Sequence, residues 1–424
     1  MNKIVSKYII KTNKSNVKQD YLWYSMGSGI FALSTLLMTI VVSRTVGEQI
    51  GGMFSIALSL AQIFMAIVNY EVRVYQVTDV KNEFSFGEYF TFRVLLCISA
   101  YGVVIGYVVF NQYSLLKTMI VLLMCMYKIL ESFADVFEGQ FQKSNRIDIA
   151  GKSMFFRTFF SVTSMLAVLL ITKNIIVSLV IMIIVEILCI WVIDIMPIQT
   201  FATVNITPGL KRLFKIATCC GPLALSSFIQ TYIVNCSKLA IDHTMSDEYQ
   251  LYYSAVFMPN MVINLFSGII FKPMQTSMAI AFNNGELKRF SKVVYKIIGI
   301  IILFTTVCCV GAYVLGIPVL SFLYGVELNP YKNVLLLLLL AGGANAINII
   351  LYYVLTVMRR QKVVAIIYLI VAIVAFVFVE TLTAKLGLAG AAVSYLILVL
   401  LLMVLLSLTI VVLLKNKKWR KENE

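Results

Sequence analysis

Long apolar runs separated by short polar gaps cover almost the whole chain of 424 residues. Because a helix needs ~20 apolar residues to cross the hydrocarbon core of a bilayer, each run is a candidate membrane span. The gaps are too short to hold a soluble domain, so the predicted fold class is all-α and integral to a membrane. The pattern predicts twelve transmembrane helices, at residues 21–43, 51–70, 89–110, 115–134, 154–172, 175–196, 216–236, 251–271, 294–316, 333–357, 363–380 and 387–414.

Composition agrees with this pattern, and the distribution of charge orients it. Hydrophobic residues make up 60% of the chain and charged residues 13%, and the net charge is +15. Of the 35 Lys and Arg residues, 27 fall in every second gap, with Arg157 among them, and five, including Lys238, fall in the other gaps. Since positive segments resist translocation, we predict a multi-pass protein of the cell (plasma or inner) membrane with both termini cytoplasmic. The positive surplus sets topology, so no nucleic-acid partner is expected.

The spans divide into six and six near Pro197–Pro208, and a short match, Ala32–Ser34 with Ala224–Ser226, relates the two halves. Because each half has an even number of spans, the halves form a parallel repeat, an arrangement of transporters with the path between the halves. The predicted organisation is a cytoplasmic tail 1–20, a six-helix lobe 21–196, a cytoplasmic linker 197–215, a second six-helix lobe 216–414 and a cytoplasmic tail 415–424.

Several kinds of chemistry find no support in the sequence. The single histidine, His243, falls in a predicted outer loop, and the eight cysteines lie in or beside spans without a C-x-x-C spacing. Gly151-Lys152-Ser153 resembles the end of a nucleotide-binding loop, but Arg146 stands where the earlier glycine is required. We therefore predict no metal, no cofactor, no nucleotide and no catalytic residues, and hence not an enzyme.

The fourth span carries a stripe of polar residues. At ~100° per residue, residues spaced three or four apart share one face of a helix. Ionisable groups inside a span are costly, so they are functional candidates by default. The alternative is a stripe that neutralises itself. If the helix continues into the cytoplasm, this face holds Lys128, Glu131, Asp135, Glu138, Gln142 and Arg146. We take Lys128, Glu131, Asp135 and Arg146 as candidates for binding the substrate.

A smaller polar face ends the second span, where Asn69, Arg73 and Gln76 are also substrate-binding candidates. The guanidinium of Arg73 suits bidentate binding of a phosphate, and simple snorkelling to the membrane surface is the alternative. We expect Arg93, near the inner end of the third span, to snorkel.

Glu186 is an isolated carboxyl group near the middle of the sixth span. No cation lies within one turn on its own helix, so either its partner is on another helix or it is protonated. It is a candidate for coupling transport to a proton gradient.

In the tenth span, Asn345 and Asn348 share a face, and they either contact sugar hydroxyls of a substrate or bridge neighbouring helices.

Four stretches resemble the polysaccharide (O-antigen or capsule-type) flippase family of the multidrug/oligosaccharidyl-lipid/polysaccharide exporter superfamily. The strongest, with the acidic residue, glycine, glutamine, arginine and small-residue end typical of the family, is Asp135–Gly151, DVFEGQFQKSNRIDIAG. The others are Ser43–Gly47 followed by Gly51–Ser55, Leu323–Gly325, and Gly387–Ala392.

The resemblance implies two six-helix lobes around a central cavity that opens alternately to each side of the membrane. It implies a flippase that moves oligosaccharides linked to polyprenyl diphosphate from the inner to the outer leaflet for surface polysaccharide synthesis. Arg146 and Asp148 are the residues that carry over from the family motif. The implied partners are the lipid-linked oligosaccharide, the lipid bilayer and, optionally, a polysaccharide polymerase.

Two alternatives remain open. One is a cation-coupled small-molecule or drug exporter of the same superfamily or of the major facilitator type. The other is a membrane-embedded glycan ligase or transferase, which needs a large outer loop with catalytic residues. The longest predicted outer loop, 237–250, is short.

Overall fold

The computed structural model describes residues 17–79, 81–206, 209–358 and 360–415, and these contain helices but no strand. The predicted tails lie outside this part of the chain, except that residues 17–20 and 415 are helical. The chain forms two compact units, divided between Thr231 and Tyr232. This division falls inside a helix, later than the predicted linker 197–215, whose last residues are already helical.

Seven helices and the start of an eighth build the first unit. Serine and asparagine side chains cap several of them, as at Ser85, where Glu88 completes a reciprocal capping box. The helices are α1 (Val17–Val46), α2 (Glu48–Asn69), α3 (Val72–Thr78), α4 (Phe86–Phe110), α5 (Leu115–Lys143), α6 (Ile147–Thr172) and α7 (Ile175–Cys189). A π-helical segment, Ile190–Ile195, and a last turn, Met196–Ile198, continue α7.

The second unit begins within α8 and ends with a long kinked helix. That last helix is interrupted at Gly387, where φ is 60° and ψ is −141°. A π-helical segment, Ala312–Gly316, joins two of the other helices. The helices are α8 (Leu210–Thr244), α9 (Asp247–Asn283), α10 (Leu287–Gly311), α11 (Ile317–Tyr324), α12 (Lys332–Val357) and α13 (Gln361–Lys415).

The described helices bear out part of the predicted set of twelve spans. Nine helical stretches are long and apolar enough to cross a membrane. Helices α5 and α9 have 29 and 37 residues, although charged or polar residues interrupt them, and α13 has 55 residues, enough for two crossings. Counting both arms of α13 gives twelve segments of crossing length in the described chain. The all-helical, multi-pass membrane class is confirmed, whereas the orientation and the central cavity stay predictions.

Close packing of α1 on α6 depends on small residues. A Cβ atom added at Gly151 would lie 2.4 Å from the backbone N of Tyr24 and 2.5 Å from the carbonyl carbon of Trp23. Small residues at such crossings let two membrane helices approach until their backbones touch. Gly151 therefore has a packing role in this fold, in place of the phosphate role that its neighbours Lys152 and Ser153 suggest.

Aromatic and aliphatic residues form a core at the end of the first unit that the charge pattern predicts to be cytoplasmic. It includes Phe84, Phe86 and Phe137, and it also takes in Leu213 and Ile216 from the first turns of α8. Two surface ion pairs, Arg212 with Glu88 and Lys215 with Glu83, also connect the first turns of α8 to the start of α4 and the loop before it. The start of α8 is thus part of the first unit.

Three residues lie elsewhere than the sequence predicts. Arg157, counted with the polar gap at the start of the fifth span, is 2% exposed and lies inside α6. Lys238, assigned to an outer loop, is 5% exposed inside α8, and His243 stands in the last turn of the same helix. The charge rule fails here because it counts any charge near the edge of an apolar run as part of the gap.

Candidate functional site

A network of charged side chains, most of them buried, connects the helices of the first unit. Cations reach it from α3, α4, α5 and α6, and carboxylates from α5, α7 and the π-helical segment that follows α7. The cations are Arg73, Arg93, Lys128 and Arg157, and the carboxylates are Glu131, Asp135, Glu138, Glu186 and Asp194.

A backbone break between α2 and α3 holds Arg73 against α5. Tyr70 and Glu71 adopt left-handed conformations, with φ of 45° and 53°, so the chain turns before α3 begins. Arg73 Nη1 then lies 2.9 Å from Asp135 Oδ1 and 2.7 Å from Glu138 Oε2. One guanidinium therefore joins two carboxylates that are one turn apart on α5.

Amide side chains complete the contact between α3 and α5. Nε and Nη2 of Arg73 both donate to Gln142 Oε1 at 3.2 Å. Gln76 is fully buried and donates from Nε2 to the carbonyl oxygen of Val136 at 3.2 Å. A Cβ atom at Gly139 would stand 2.5 Å from Gln76 Oε1, so the absence of a side chain there leaves room for the Gln76 amide.

Arg93 is fully buried, and the expectation that it snorkels to the surface is wrong. Its Nη1 donates to the carbonyl oxygen of Val68 at 2.6 Å and to Asn69 Oδ1 at 3.3 Å. Its Nη2 lies 3.0 Å from Asp135 Oδ2. Asp135 thus bridges two arginines, Arg73 through one oxygen and Arg93 through the other.

Arg157 faces three carboxylates at once. Its Nη2 lies 2.9 Å from Glu138 Oε1, its Nε 2.8 Å from Glu186 Oε1 and its Nη1 3.3 Å from Asp194 Oδ2. Ser153 Oγ donates to the other oxygen of Asp194 at 2.5 Å. All three acids are 1% exposed or less, so Glu186 and Asp194 depend on this guanidinium for positive charge, whereas Glu138 also has Arg73.

The π-helical segment brings Glu186 and Asp194 to the same guanidinium. In a uniform α-helix, at ~100° per residue, two residues eight positions apart point about 80° away from each other. The wider turn of Ile190–Ile195 slows this rotation, and such insertions are frequent at functional sites. Arg157 is the cation on another helix that the sequence leads us to expect for Glu186. The Nε–H of Arg157 is not aligned with the carboxylate of Glu186, and neither oxygen of Glu186 accepts a hydrogen bond from a described residue.

Lys128 and Glu131 form a separate buried pair within α5. Lys128 Nζ lies 2.6 Å from Glu131 Oε2, and both side chains are 2% exposed. The ammonium also lies 4.6 Å from the ring centre of Phe31 on α1. Glu131 interacts electrostatically with Arg157 and so links this pair to the rest of the network.

The predicted stripe is correct as far as Gln142 and wrong at its last residue. Helix α5 ends at Lys143, and the backbone at Asn145 is left-handed, with φ 57°. Arg146 therefore precedes the first turn of α6 and pairs with Asp148, with Nε to Oδ1 at 2.9 Å. Arg146 does not contact the network.

The network holds four cations and five carboxylates. An unbalanced charge in a low-dielectric interior is strongly unfavourable unless the group changes its protonation state. The network becomes neutral when one of its five carboxyl groups binds a proton. Glu186, which is fully buried and accepts no hydrogen bond from the described residues, is the group best placed to do so.

Asp79 anchors the loop between α3 and α4 beside this network. Its carboxylate accepts hydrogen bonds from the backbone N–H of Glu83 at 2.8 Å, that of Phe84 at 3.2 Å and the hydroxyl of Tyr89 at 3.1 Å. Burial raises the pKa of Asp79, but these bonds and the nearby Lys143 outweigh it and leave the pKa below its usual value. Asp79 is therefore ionised at neutral pH and holds the loop in place.

In the second unit, asparagines form a ladder between α9 and α12. Asn345 Nδ2 donates to Asn264 Oδ1 at 3.1 Å, and Asn264 Nδ2 donates to Asn260 Oδ1 at 2.8 Å. Asn348 is buried and donates to the carbonyl oxygen of Val399 on α13 at 2.9 Å. These amides bridge helices, which is one of the two roles that the sequence leaves open for Asn345 and Asn348.

Sequence reasoning missed the centre of the network. Arg157 lies inside the predicted fifth span, 154–172, and Asp194 inside the sixth, 175–196. That position is itself a signal, because charges within spans are functional candidates. The sequence pattern does not reveal which charges on different helices pair with each other.

The comparisons place this fold among known transporters. No protein-family model matches the sequence, and no curated protein matches it. The chain is similar in structure to the lipid II flippase MurJ in an inward closed conformation, with TM-score 0.67 and 14% identity over 92% of this chain and 87% of that one. It is also similar to the eukaryotic MATE transporter AtDTX14, with TM-score 0.60 and 13% identity over 96% of this chain and 98% of that one.

A third similar structure is a MOP superfamily transporter from Pyrococcus furiosus, with TM-score 0.56 and 14% identity over 94% of this chain and 96% of that one. The chain is therefore a multi-pass membrane protein with the fold of MOP superfamily transporters. At these identities, the likeness establishes the fold alone.

Proposed function

We propose that this protein is a flippase that moves oligosaccharides linked to polyprenyl diphosphate from the inner to the outer leaflet by alternating access. The observation that carries the proposal is the partly exposed Arg73–Asp135 pair, with side chains 16% and 20% exposed, at the edge of an otherwise closed charge network. The fold shared with a lipid flippase and the motif Asp135–Gly151 support the same substrate class.

The pairing around Asp135 suits binding of a diphosphate. A diphosphate offers several anionic oxygens to a guanidinium and competes with a carboxylate for Arg73. If it displaces Asp135 from Arg73, Asp135 still has Arg93 at 3.0 Å. Substrate binding at Arg73 therefore leaves no carboxylate of this pair unneutralised. Lys128, already paired with Glu131, enters the binding site only if that pair opens.

The other parts of the substrate have simpler requirements. The lipid tail can remain in the bilayer, and the glycan needs hydrogen-bonding groups, for which half-buried Asn345 is our candidate. Asn348 is 1% exposed and reaches a sugar only after the helices around it separate.

A polysaccharide polymerase is an optional protein partner. We propose no enzyme activity, and both termini are proposed to be cytoplasmic.

Complementation tests the proposed substrate class directly. In a bacterial strain that lacks its own polysaccharide flippase, this chain is expected to restore surface polymer. The measurement is polymer on intact cells, with membrane protein levels matched by immunoblot. Failure to restore polymer from strains with several different glycans, combined with increased tolerance to cationic drugs, would contradict the proposal.

Glu186 is the proposed coupling group, because it can take up the proton that neutralises the network. Glu186→Gln keeps the shape and cannot release a proton, so polymer export is expected to lose its response to an imposed proton gradient. The protein should remain as stable as the parent, because no unpaired cation is created. Glu286→Gln, at an acid whose side chain is 42% exposed, is the control. Export by Glu186→Gln that follows the gradient as the parent does would rule out the coupling role.

A cation-coupled drug exporter is the second candidate, and the likeness to MATE transporters favours it. The two candidates differ in what the complemented strain gains, surface polymer or drug tolerance. The glycan ligase or transferase has less support. The residues that it requires as an outer loop, 237–250, are helical up to Thr244 and again from Asp247.

A further inference from the structure

Lys238 is the only charged residue that is buried in the described part of the second unit. It lies inside α8 and has no carboxylate within 4.0 Å among the described residues. The other buried cations of the described chain include Arg93, Lys128 and Arg157, each of which has a carboxylate partner. Lys238 therefore needs a separate explanation.

The ammonium of Lys238 points into the unit and not out of it. Side chains on a helix lean toward its N-terminus, which for Lys238 is away from the near end of α8 at Thr244. Its Nζ accordingly lies 4.8 Å from the ring centre of Phe257 on α9. Phe257 is ten residues into α9, so this point is roughly 15 Å from the end of that helix. Because α9 begins with Asp247 and Glu248, which belong outside the hydrocarbon core, the ammonium lies inside the predicted span 251–271 but not at its centre.

The groups around Phe257 offer no counter-charge. The ring packs against Tyr253 of the same helix and Tyr395 of α13, whose hydroxyls have no hydrogen-bond partner among the described residues. The remaining titratable group close to these tyrosines is the thiol of Cys236 on α8. Asp242 and His243 stand one turn or more toward the end of α8. The ring of Phe257 favours a cation, whereas burial without a carboxylate partner disfavours the ammonium, so this site can hold either the ammonium or the neutral amine.

We propose that Lys238 is a proton-exchange site of the second unit. In the described conformation its side chain is the neutral amine, facing Phe257. When the helices around it admit water, the amine takes a proton from a hydronium ion and becomes an ammonium, and on closure it returns that proton to water. The ligand of the site is the proton itself. This goes beyond the proposed flippase function and holds for any substrate that the protein carries.

The two units then carry complementary buried charge. The network of the first unit has one carboxylate more than it has cations, and the second unit has one amine without an acid. Binding a proton would neutralise the extra carboxylate of the first unit, and releasing one would neutralise the lysine of the second. The proposal therefore gives each unit a group that can exchange a proton.

Nitrogen NMR of the reconstituted protein tests the proposal without a transported substrate. With lysine labelled at Nζ with ¹⁵N, the chemical shift distinguishes an amine from an ammonium. One amine signal is expected at mildly alkaline pH, where other lysines are still ammonium groups; it should be absent from Lys238→Met and become an ammonium signal on acidification. Lys332→Met is the control, because Lys332 also lies over a ring, that of Tyr313 at 3.7 Å, but is half-buried. The parent signal that disappears in Lys332→Met should be that of an ammonium throughout the same pH range.

Substitutions provide a second measurement. Arginine keeps its proton at any physiological pH, so Lys238→Arg forces a charge into the site and is expected to unfold at a lower temperature than the parent. Lys238→Met should unfold at the same temperature or a higher one. If the signal assigned to Lys238 is an ammonium at every pH, or if Lys238→Met is less stable than Lys238→Arg, the proposal is wrong. Neither result affects the flippase proposal.

Discussion

Arg157→Gln is expected to be the most damaging single substitution in the first unit. The change removes the cation that faces Glu138, Glu186 and Asp194, all of them buried. Removing one partner of a buried ion pair typically costs about 3–5 kcal/mol, because the other partner is left uncompensated. Glu138 retains Arg73, so the loss comes mainly from the other two acids. Denaturant unfolding of the purified protein in detergent measures the effect.

A matched surface variant separates this effect from the loss of any arginine. Arg289 pairs with Glu286 and is 63% exposed, and exposed pairs contribute only about 0–1 kcal/mol. Arg289→Gln should therefore unfold like the parent. Adding Glu186→Gln and Asp194→Asn to Arg157→Gln should recover most of the lost stability. Equal stability of the Arg157 and Arg289 variants would show that the network contributes nothing to folding.

Arg73→Gln is expected to reduce polymer export at least ~10-fold in the complemented strain, at an unchanged protein level. A loss of this size corresponds to about 1.4 kcal/mol of substrate interaction, modest for a charge-assisted hydrogen bond to a phosphate. Lys128→Gln should also reduce export. Arg73→Lys should recover only part of the activity, since an ammonium does not provide the bidentate geometry. Export is measured as surface polymer per cell.

A charge-compensated double variant distinguishes substrate binding from structural support. Arg73 also neutralises Asp135 and Glu138, so its loss alone could disturb the network. In Arg73→Gln/Asp135→Asn the net charge of the network is restored. If Arg73 binds the diphosphate, the double variant stays inactive. Full recovery of export would mean that Arg73 only neutralises carboxylates, and the proposed phosphate site would be wrong.

The sequence predicts the elements of this fold better than their contacts. Apolar length alone is enough for the membrane class, because a helix that spans a membrane must be apolar along most of its own length. Helical periodicity correctly places Lys128, Glu131, Asp135 and Glu138 on one face of α5. It fails at Arg146, because Ser144 and Asn145 end the helix and the pattern assumes that it continues.

The pairings between helices could not be predicted, since they depend on how the helices pack. The position of Arg93 near the end of its span predicts snorkelling, yet the carbonyl oxygen of Val68 and the carboxylate of Asp135 hold it inside. Asp194 reaches Arg157 only because the π-helical segment changes the rotation of α7. A hydropathy pattern contains no information on either contact.

The attachment of α8 to the first unit affects the order in which the protein can be assembled during synthesis. The core that holds Phe84 and Phe137 also requires Leu213, Ile216 and Cys220, which the ribosome makes after all six preceding membrane segments. Until those residues emerge from the ribosome, the aromatic side chains of this core lack part of their packing partners. We therefore expect this core to reach its final packing only after the first turns of α8 have been synthesised.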